Sequence, residues 1–250
     1  MNKNILNVVL MVAATGIVGC AEVDSKDIRT SGFCSEMQVI SGDNTTSVGA
    51  NLRTGRALDA DSIVLSSGDQ LTATMGGRSI ALYKSDANYL GVFNQNGSGQ
   101  EVRISLLRSD DIDAPDSRVV VPIAFEITAP DQAETFNAGE SISVAWTPGS
   151  LANTVSVDFF VNCQVTGENG LPTGAAYGRG YQVPDSGTHT ASINQILDTF
   201  GSREDLVSGI ACPMTVSVTR LNEGTLDRAL TKGGTIMAKQ EKSVLVNVIP

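Results

Sequence analysis

The sequence contains 250 residues and has a formal net charge of −10, because 27 acidic side chains outnumber 17 lysines and arginines. Such an acidic surface argues against binding to nucleic acid or to anionic lipid, since both ligands recruit positive charge. Charged residues make up only 18% of the chain and glycine occurs 25 times, which is unlike a helical protein. Together with many short alternating apolar runs, this composition predicts an all-β protein.

The first nineteen residues have the layout of a secretory signal peptide. Lys3 is their only charged side chain, and an apolar run extends from Ile5 to Val18. This run is too short to span a bilayer, which requires about 20 apolar residues. We therefore expect residues 1–19 to be a signal peptide.

Ile17, Val18 and Gly19 precede Cys20, and this order resembles the bacterial lipobox. The resemblance implies that Cys20 carries a thioether-linked diacylglycerol and an amide-linked acyl chain such as palmitate. Several acyl chains anchor a protein stably without any membrane-spanning segment. The residue after Cys20 is Ala21 rather than aspartate, which resembles sorting to the outer membrane of a Gram-negative bacterium. The alternative is an unmodified cysteine beside an ordinary cleavage site.

After a lipidated tether at residues 20–33, residues 34–124 are expected to form an N-terminal β-sandwich-like domain. Alternation on either side of a Gly-Gly turn predicts a hairpin over residues 69–84, and a second hairpin is predicted over residues 88–108. Further strands are expected at residues 37–40 and 62–65.

Residues 125–250 show longer alternation and are expected to form a second β-sandwich. Residues 192–205, SINQILDTFGSRED, are expected to form a short helix or an ordered loop. The strands of this domain are predicted at residues 142–146, 155–163, 212–218 and 244–248.

The segment at residues 127–148, ITAPDQAETFNAGESISVAWTP, resembles the opening of immunoglobulin-like and fibronectin-like modules of bacterial exported proteins. The resemblance implies an immunoglobulin-like sandwich and says almost nothing about function. Trp146 precedes both cysteines of this region, whereas in antibody domains the tryptophan lies between the bridged cysteines. The order of these residues therefore departs from the antibody pattern.

Three cysteines follow Cys20. The alternation places Cys163 and Cys212 on the inward faces of two facing strands, which makes them a good disulfide pair in an oxidising compartment. Cys34 would then be free or would pair between molecules. A bridge from Cys34 to Cys163 or to Cys212 is the competing scheme.

Residue types for catalysis are scarce. His189 is the only histidine, and its alternation with Ala191 and Ile193 favours a structural position on a strand over a catalytic one. One histidine without a Cys-x-x-Cys pair makes a zinc site improbable. We expect no cofactor.

The acidic run Asp110, Asp111, Asp113 and Asp116 is a weak candidate for calcium. It lacks the glycine and the distal glutamate of an EF-hand loop, so a solvated linker between the two domains is the favoured interpretation.

The best candidate for a ligand or partner site is a glycine-rich loop in which Tyr177 and Tyr181 flank Arg179. Its aromatic side chains could bind a glycan or another protein. The sequence thus favours a non-catalytic, membrane-anchored envelope lipoprotein with a structural or protein-interaction role. The alternatives are a carbohydrate-binding or adhesive surface module and, less favoured, a hydrolase with an unrecognised carboxylate site.

Overall fold

A computed structural model of the chain describes residues 22–56, 60–150, 153–166, 171–198, 206–207 and 209–250. In these residues the regular structure is eighteen strands, two short 3₁₀ turns and one short helix, α1 (Ile193–Leu197). The prediction of an all-β protein is confirmed. No helix in this part of the chain is long and apolar enough to cross a membrane. Residues 1–19, which are expected to be a signal peptide, and Cys20 lie outside the described residues.

The first half of the chain contributes ten strands. Their bounds are β1 (Glu22–Asp24), β2 (Cys34–Ser41), β3 (Thr46–Arg53), β4 (Ser62–Val64), β5 (Gln70–Met75), β6 (Arg78–Ala81), β7 (Tyr83–Ser85), β8 (Asn88–Phe93), β9 (Glu101–Leu107) and β10 (Ala114–Val120).

The second half contributes eight strands, several of them long. Their bounds are β11 (Ile127–Ala129), β12 (Thr135–Asn137), β13 (Ser141–Trp146), β14 (Thr154–Thr166), β15 (Pro172–Pro184), β16 (Thr188–Ser192), β17 (Cys212–Glu223) and β18 (Gly234–Ile249). They include all four strands predicted for this region, and α1 begins within the segment predicted as a short helix or loop.

The strands form one large sheet and two small ones. The large sheet runs β1-β4-β3-β2-β18-β17-β14-β15, with β8 also beside β3, β7 beside β8 and β12 beside β18. The small sheets run β10-β9-β5-β6 and β11-β13-β16. Each small sheet packs against one half of the large sheet, so the chain forms two β-sandwiches, the second immunoglobulin-like in its two antiparallel layers.

Each sandwich encloses its own apolar core, because alternate residues of every inner strand point towards the opposite sheet. The first core contains Val39 of β2 and Ile104 of β9. The second core contains Trp146 of β13, Phe159 of β14 and Val216 of β17. Buried side chains occupy alternate positions along these strands, as the sequence predicts.

Strand β18 belongs to both sandwiches. Its first half pairs in parallel with β2 and places Ile236 and Ala238 in the first core. Its second half places Val246 and Val248 in the second core, and β17 pairs with it along its whole described length of Cys212–Glu223. The domain boundary expected near residue 125 therefore falls between the strands of the two small sheets. The large sheet contains strands from both sides of this boundary.

The two hairpins predicted in the first half have different outcomes. β5 and β6 form the first one, around Gly76 and Gly77, whose φ angles of 57° and 76° suit glycine. The second hairpin is wrong. Its strands exist, but β8 pairs with β3 in the large sheet, whereas β9 pairs with β5 and β10 in the facing sheet. Alternation identifies a buried face but not a pairing partner, because both layers present the same pattern to the core.

Residues 22–33, assigned above to a tether, are folded onto the first sandwich. Phe33 is fully buried, and the Arg108 guanidinium lies 4.9 Å from its ring centroid. Arg108 also donates hydrogen bonds to the carbonyl oxygens of Ser25 and Ile28 and forms a buried ion pair with Asp69 at 2.8 Å. These contacts fix the chain from Glu22 onwards.

The disulfide between Cys163 and Cys212 is present. These cysteines do not face each other across the sandwich, because β14 and β17 are neighbours in the large sheet and their register continues to this pair. Cys34 is buried at the start of β2 and has a free thiol. The bridge therefore staples two adjacent strands beside the second core.

Replacing both bridging cysteines with alanine should destabilise the protein by about 4 kcal/mol, the loop-closure contribution expected for a crosslink of this span. The bridge joins residues 49 positions apart. Denaturant unfolding measures the loss, with Cys34→Ala as the control that leaves the bridge intact. Mass spectrometry without reductant that finds Cys163 and Cys212 both alkylated in the native protein would contradict the pairing.

Candidate binding site at the junction of the two cores

A buried ion pair lies where the two sandwiches meet. Arg220 stands near the end of β17, and Asp185 directly follows β15. The Arg220 Nε donates to Asp185 Oδ2 at 2.7 Å and its Nη2 donates to Oδ1 at 3.0 Å. Both side chains are buried, so this two-pronged contact is charge-assisted and well shielded from water.

The remaining donors of Arg220 reach segments that are distant in sequence. Arg220 Nη1 donates to the Ile123 carbonyl at 3.0 Å, and Nη2 donates to the Thr147 carbonyl at 2.7 Å. The guanidinium also lies 4.6 Å from the ring centroid of Phe125. Arg220 thus ties the connection between β10 and β11 to the end of β13.

Asp185 is held by several donors. Trp146 Nε1 donates to its Oδ1 at 2.8 Å, and the Gly149 backbone also bonds to the carboxylate. Burial acts to raise the pKa of Asp185, but the hydrogen bonds from Arg220, Trp146 and Gly149 outweigh it and hold the pKa below its usual range. A side chain at position 149 would collide with this carboxylate, so the glycine makes room for the charge.

Above this pair lies a groove with a volume of about 420 Å³, within the range of small binding pockets. Val120 and Ile123, from the end of β10 and the connection after it, line the groove together with Leu221 and Asn222 of β17. Asn222 Nδ2 donates to the Val120 carbonyl at 2.9 Å and so joins these two segments. Val120, Leu221 and the 65% exposed Ile123 give the groove an apolar rim.

The charged groups of the groove already have partners. Its charged groups, Arg220 and Asp185, direct their donors and acceptors at each other, at Trp146 and at backbone carbonyls. A partner would meet apolar side chains and uncharged polar groups such as Asn153 and Thr154.

The sequence carries a signal for this pair. Arg220 continues the inward alternation of Met214, Val216 and Val218 on β17. An arginine in core phase predicts a buried acidic partner, because an unpaired buried charge is very costly. The sequence does not say which acid supplies it, and the selection of Asp185 emerges only in the fold.

The predicted ligand loop at Tyr177, Arg179 and Tyr181 is instead part of the edge strand β15. All three residues face the core side, because they pair with Val161, Phe159 and Val157 of β14. Only Tyr177 is largely exposed. The prediction of a loop is therefore wrong, because the glycines between the tyrosines are part of the long strand β15.

Tyr181 packs into the second core rather than presenting a free aromatic surface. Its ring makes an edge-on contact with Phe159 at 5.9 Å between centroids and lies 4.8 Å from the His189 ring. The Arg179 guanidinium lies 5.6 Å from the Tyr181 ring centroid. Tyr181 is thus covered by neighbours on both sides.

His189 lies on β16 opposite Val144 of β13. Burial lowers its pKa below the ordinary value of 6.5, because the imidazolium form would lose hydration. Its Nε2 is buried with no hydrogen-bond partner, as is the Tyr181 hydroxyl. The position agrees with the structural role expected for this histidine.

The acidic run belongs to the first sandwich and is not an interdomain linker. Asp110, Asp111 and Asp113 lie in the connection between β9 and β10, and Asp116 lies in β10. Asp111 accepts from the Thr30 backbone, and Asp113 accepts from the Arg108 backbone at 2.7 Å. Asp116 forms ion pairs with Arg103 and Arg118. Among the described residues, no group of three or more histidine, cysteine, aspartate or glutamate side chains could hold a metal ion.

Comparison with models of protein families gives no match. Comparison with curated protein sequences gives no match either.

Among solved structures, the chain is similar to fibronectin(III)-like modules of CbhA from Clostridium thermocellum, with 13% identity, 86% of this chain and 90% of that chain covered, and a TM-score of 0.24. The adhesin InvE of Yersinia pseudotuberculosis is 13% identical, with 86% of this chain and 60% of that chain covered and a TM-score of 0.23. A chimeric titin Z1Z2-Z1Z2 tandem is 8% identical, with 87% of this chain and 97% of that chain covered and a TM-score of 0.24. At these scores the architecture rests on the strands and sheets described above.

Asp185→Asn should destabilise the protein by about 3–5 kcal/mol, because it leaves the buried Arg220 charge without its counter-ion. The matched control is Glu126→Gln, which removes one exposed carboxylate from Lys242 and should cost less than about 1 kcal/mol. Chemical denaturation of both variants measures the difference. Equal losses in the two variants would contradict a structural role for the buried pair.

Proposed function

We propose that the chain is a non-catalytic lipoprotein, anchored at the outer membrane through Cys20, that binds another envelope protein in the groove at the junction of its two sandwiches. The observation that carries the interaction role is the groove itself, an apolar rim at Val120, Ile123 and Leu221 above a charged pair that already has its partners. The sequence before Cys20 supports the anchor.

The geometry of the groove favours a protein as its ligand. Its rim side chains come from β10, the connection after it and β17. Arg220 of β17 bonds to the Ile123 carbonyl and Asn222 of β17 bonds to the Val120 carbonyl, so the groove is formed before binding. Preformed apolar pockets of this kind accept a single large side chain at low entropic cost. A glycan site would instead stack sugar rings on aromatic side chains, and none of the described residues that line the groove is aromatic.

Cys20→Ala should abolish incorporation of labelled palmitate and release the protein from the membrane fraction, because the acyl chains are the proposed anchor. Globomycin, which blocks the lipoprotein signal peptidase, should cause the unprocessed wild-type protein to accumulate. Cell fractionation and immunoblotting measure both effects. The anchor proposal is wrong if the variant is still cleaved and remains in the membrane.

A photo-crosslinking residue tests the groove directly. Replacing Ile123 with benzoylphenylalanine should give a discrete crosslinked adduct in intact cells, because this side chain would contact the bound partner. The matched control carries the same residue at Phe160, an exposed aromatic position on β14 that does not line the groove.

A second substitution, Leu221→Asp, changes another apolar residue of the rim and should remove the adduct at position 123. The binding role of the groove is contradicted if position 123 gives no adduct or if positions 123 and 160 give the same one. Purified wild-type and Leu221→Asp proteins should unfold at similar denaturant concentrations, since Leu221 is exposed.

A further inference from the structure

The chain is held rigidly almost up to the proposed lipid. Glu22 pairs with Ser62 at the start of β1, and Ser25 is fully buried. Two residues of extended chain span at most about 7 Å, which limits how far a lipid attachment point at position 20 can be from Glu22. A lipid on Cys20 would therefore hold the surface around Glu22 against the bilayer.

The hairpin of β7 and β8 lies beside this point of entry. Lys84 of β7 contacts Glu22 through its Nζ at 2.5 Å from the Glu22 Oε1. Lys84 pairs with Tyr89 of β8, and the Tyr89 hydroxyl bonds to the backbone of Leu65 next to β4. The hairpin therefore lies next to β1, and Tyr83 is adjacent to Lys84 along β7 but points to the opposite face.

This hairpin carries an apolar patch on the outer face of the sheet, formed by Tyr83, Leu90 and Val92. Tyr83 and Leu90 are directly paired across the two strands, and Val92 follows two residues along β8 on the same face. All three are exposed, and the 74% exposure of Tyr83 is the highest among the large hydrophobic side chains in the part of the chain that the structure describes.

We propose that the Tyr83 patch contacts the headgroup region of the membrane that holds the lipid of Cys20, and so sets the orientation of the protein on the bilayer. The proposal rests on the anchor proposed above. Tyrosine favours the interface between water and hydrocarbon, because its ring is apolar and its hydroxyl remains hydrated. An acyl anchor at Cys20 would bring the edge of the protein that carries Glu22 and the hairpin close to the bilayer surface.

Charge does not drive this contact. Near the entry point, Lys84 pairs with Glu22 and Lys26 pairs with Asp24, so the positive charges are locally balanced. The acidic protein as a whole gains nothing from anionic lipid. Binding through the patch should therefore depend on apolar contact and persist at high salt, where screening suppresses electrostatic attraction.

Tryptophan fluorescence tests the proposal on the full lipidated protein. The chain has a single tryptophan, Trp146, which is buried and bonded to Asp185, so it gives a constant background. Tyr83→Trp places a reporter in the patch, and Phe160→Trp places a matched reporter on an exposed position of the second sandwich. Each variant is reconstituted into phosphatidylcholine vesicles that contain a lipid carrying a doxyl quencher near its headgroup.

We expect the Tyr83→Trp emission to shift to shorter wavelength and to be quenched by the doxyl lipid in both low and high salt, while the Phe160→Trp emission stays unchanged. Failure of the protein to float with the vesicles would refute the anchor, and with it the patch. Flotation without selective quenching of Tyr83→Trp would leave the anchor intact and overturn the membrane contact. A blue shift that appears only after another envelope protein is added would also overturn it, since the patch would then bind protein.

Discussion

The parallel pairing of β18 with β2 is the constraint on which the architecture depends. The first half of β18 completes the large sheet beside the first core, while its second half lies in the second core. Because a hydrogen-bonded strand cannot bend freely at its middle, the two sandwiches cannot rotate independently. Lys242, which bonds to Asp43 and to Glu126, adds a contact between the two halves at the same crossing. The groove between them is consequently a fixed feature of the surface.

Each sandwich also contains one buried arginine and aspartate pair at its margin. Arg108 with Asp69 holds residues 22–33 on the first sandwich, and Arg220 with Asp185 holds the chain segments at the junction. In both pairs the guanidinium lies over a phenylalanine ring and donates to backbone carbonyls. A buried ion pair adds little net stability, but the removal of one partner is costly. The Arg108 pair therefore specifies that residues 25–28 pack on the first sandwich, and the Arg220 pair specifies that the segments at Ile123 and Thr147 meet at the junction.

Polar and apolar side chains are distributed differently between the interior and the surface. The buried charges have structural partners, the single histidine lies beside the second core, and the acidic run is distributed among backbone and arginine partners. Two groups of exposed apolar side chains, the rim of the groove and the Tyr83 patch, lie on different parts of the surface.

The sequence by itself determined the strands, the two cores and the inward position of Cys163 and Cys212, because alternation with a period of two directly reports which face is buried. It also supplied the motif at Cys20, which no contact in the fold tests. Only the tertiary structure decided which strands pair: β8 and β9 separate into opposite sheets, the glycine-rich run around Tyr177 becomes an edge strand, and residues 22–33 become part of the first sandwich. Pairing partners and the choice of Asp185 for Arg220 depend on contacts between residues far apart in the chain, and local periodicity carries no information about them.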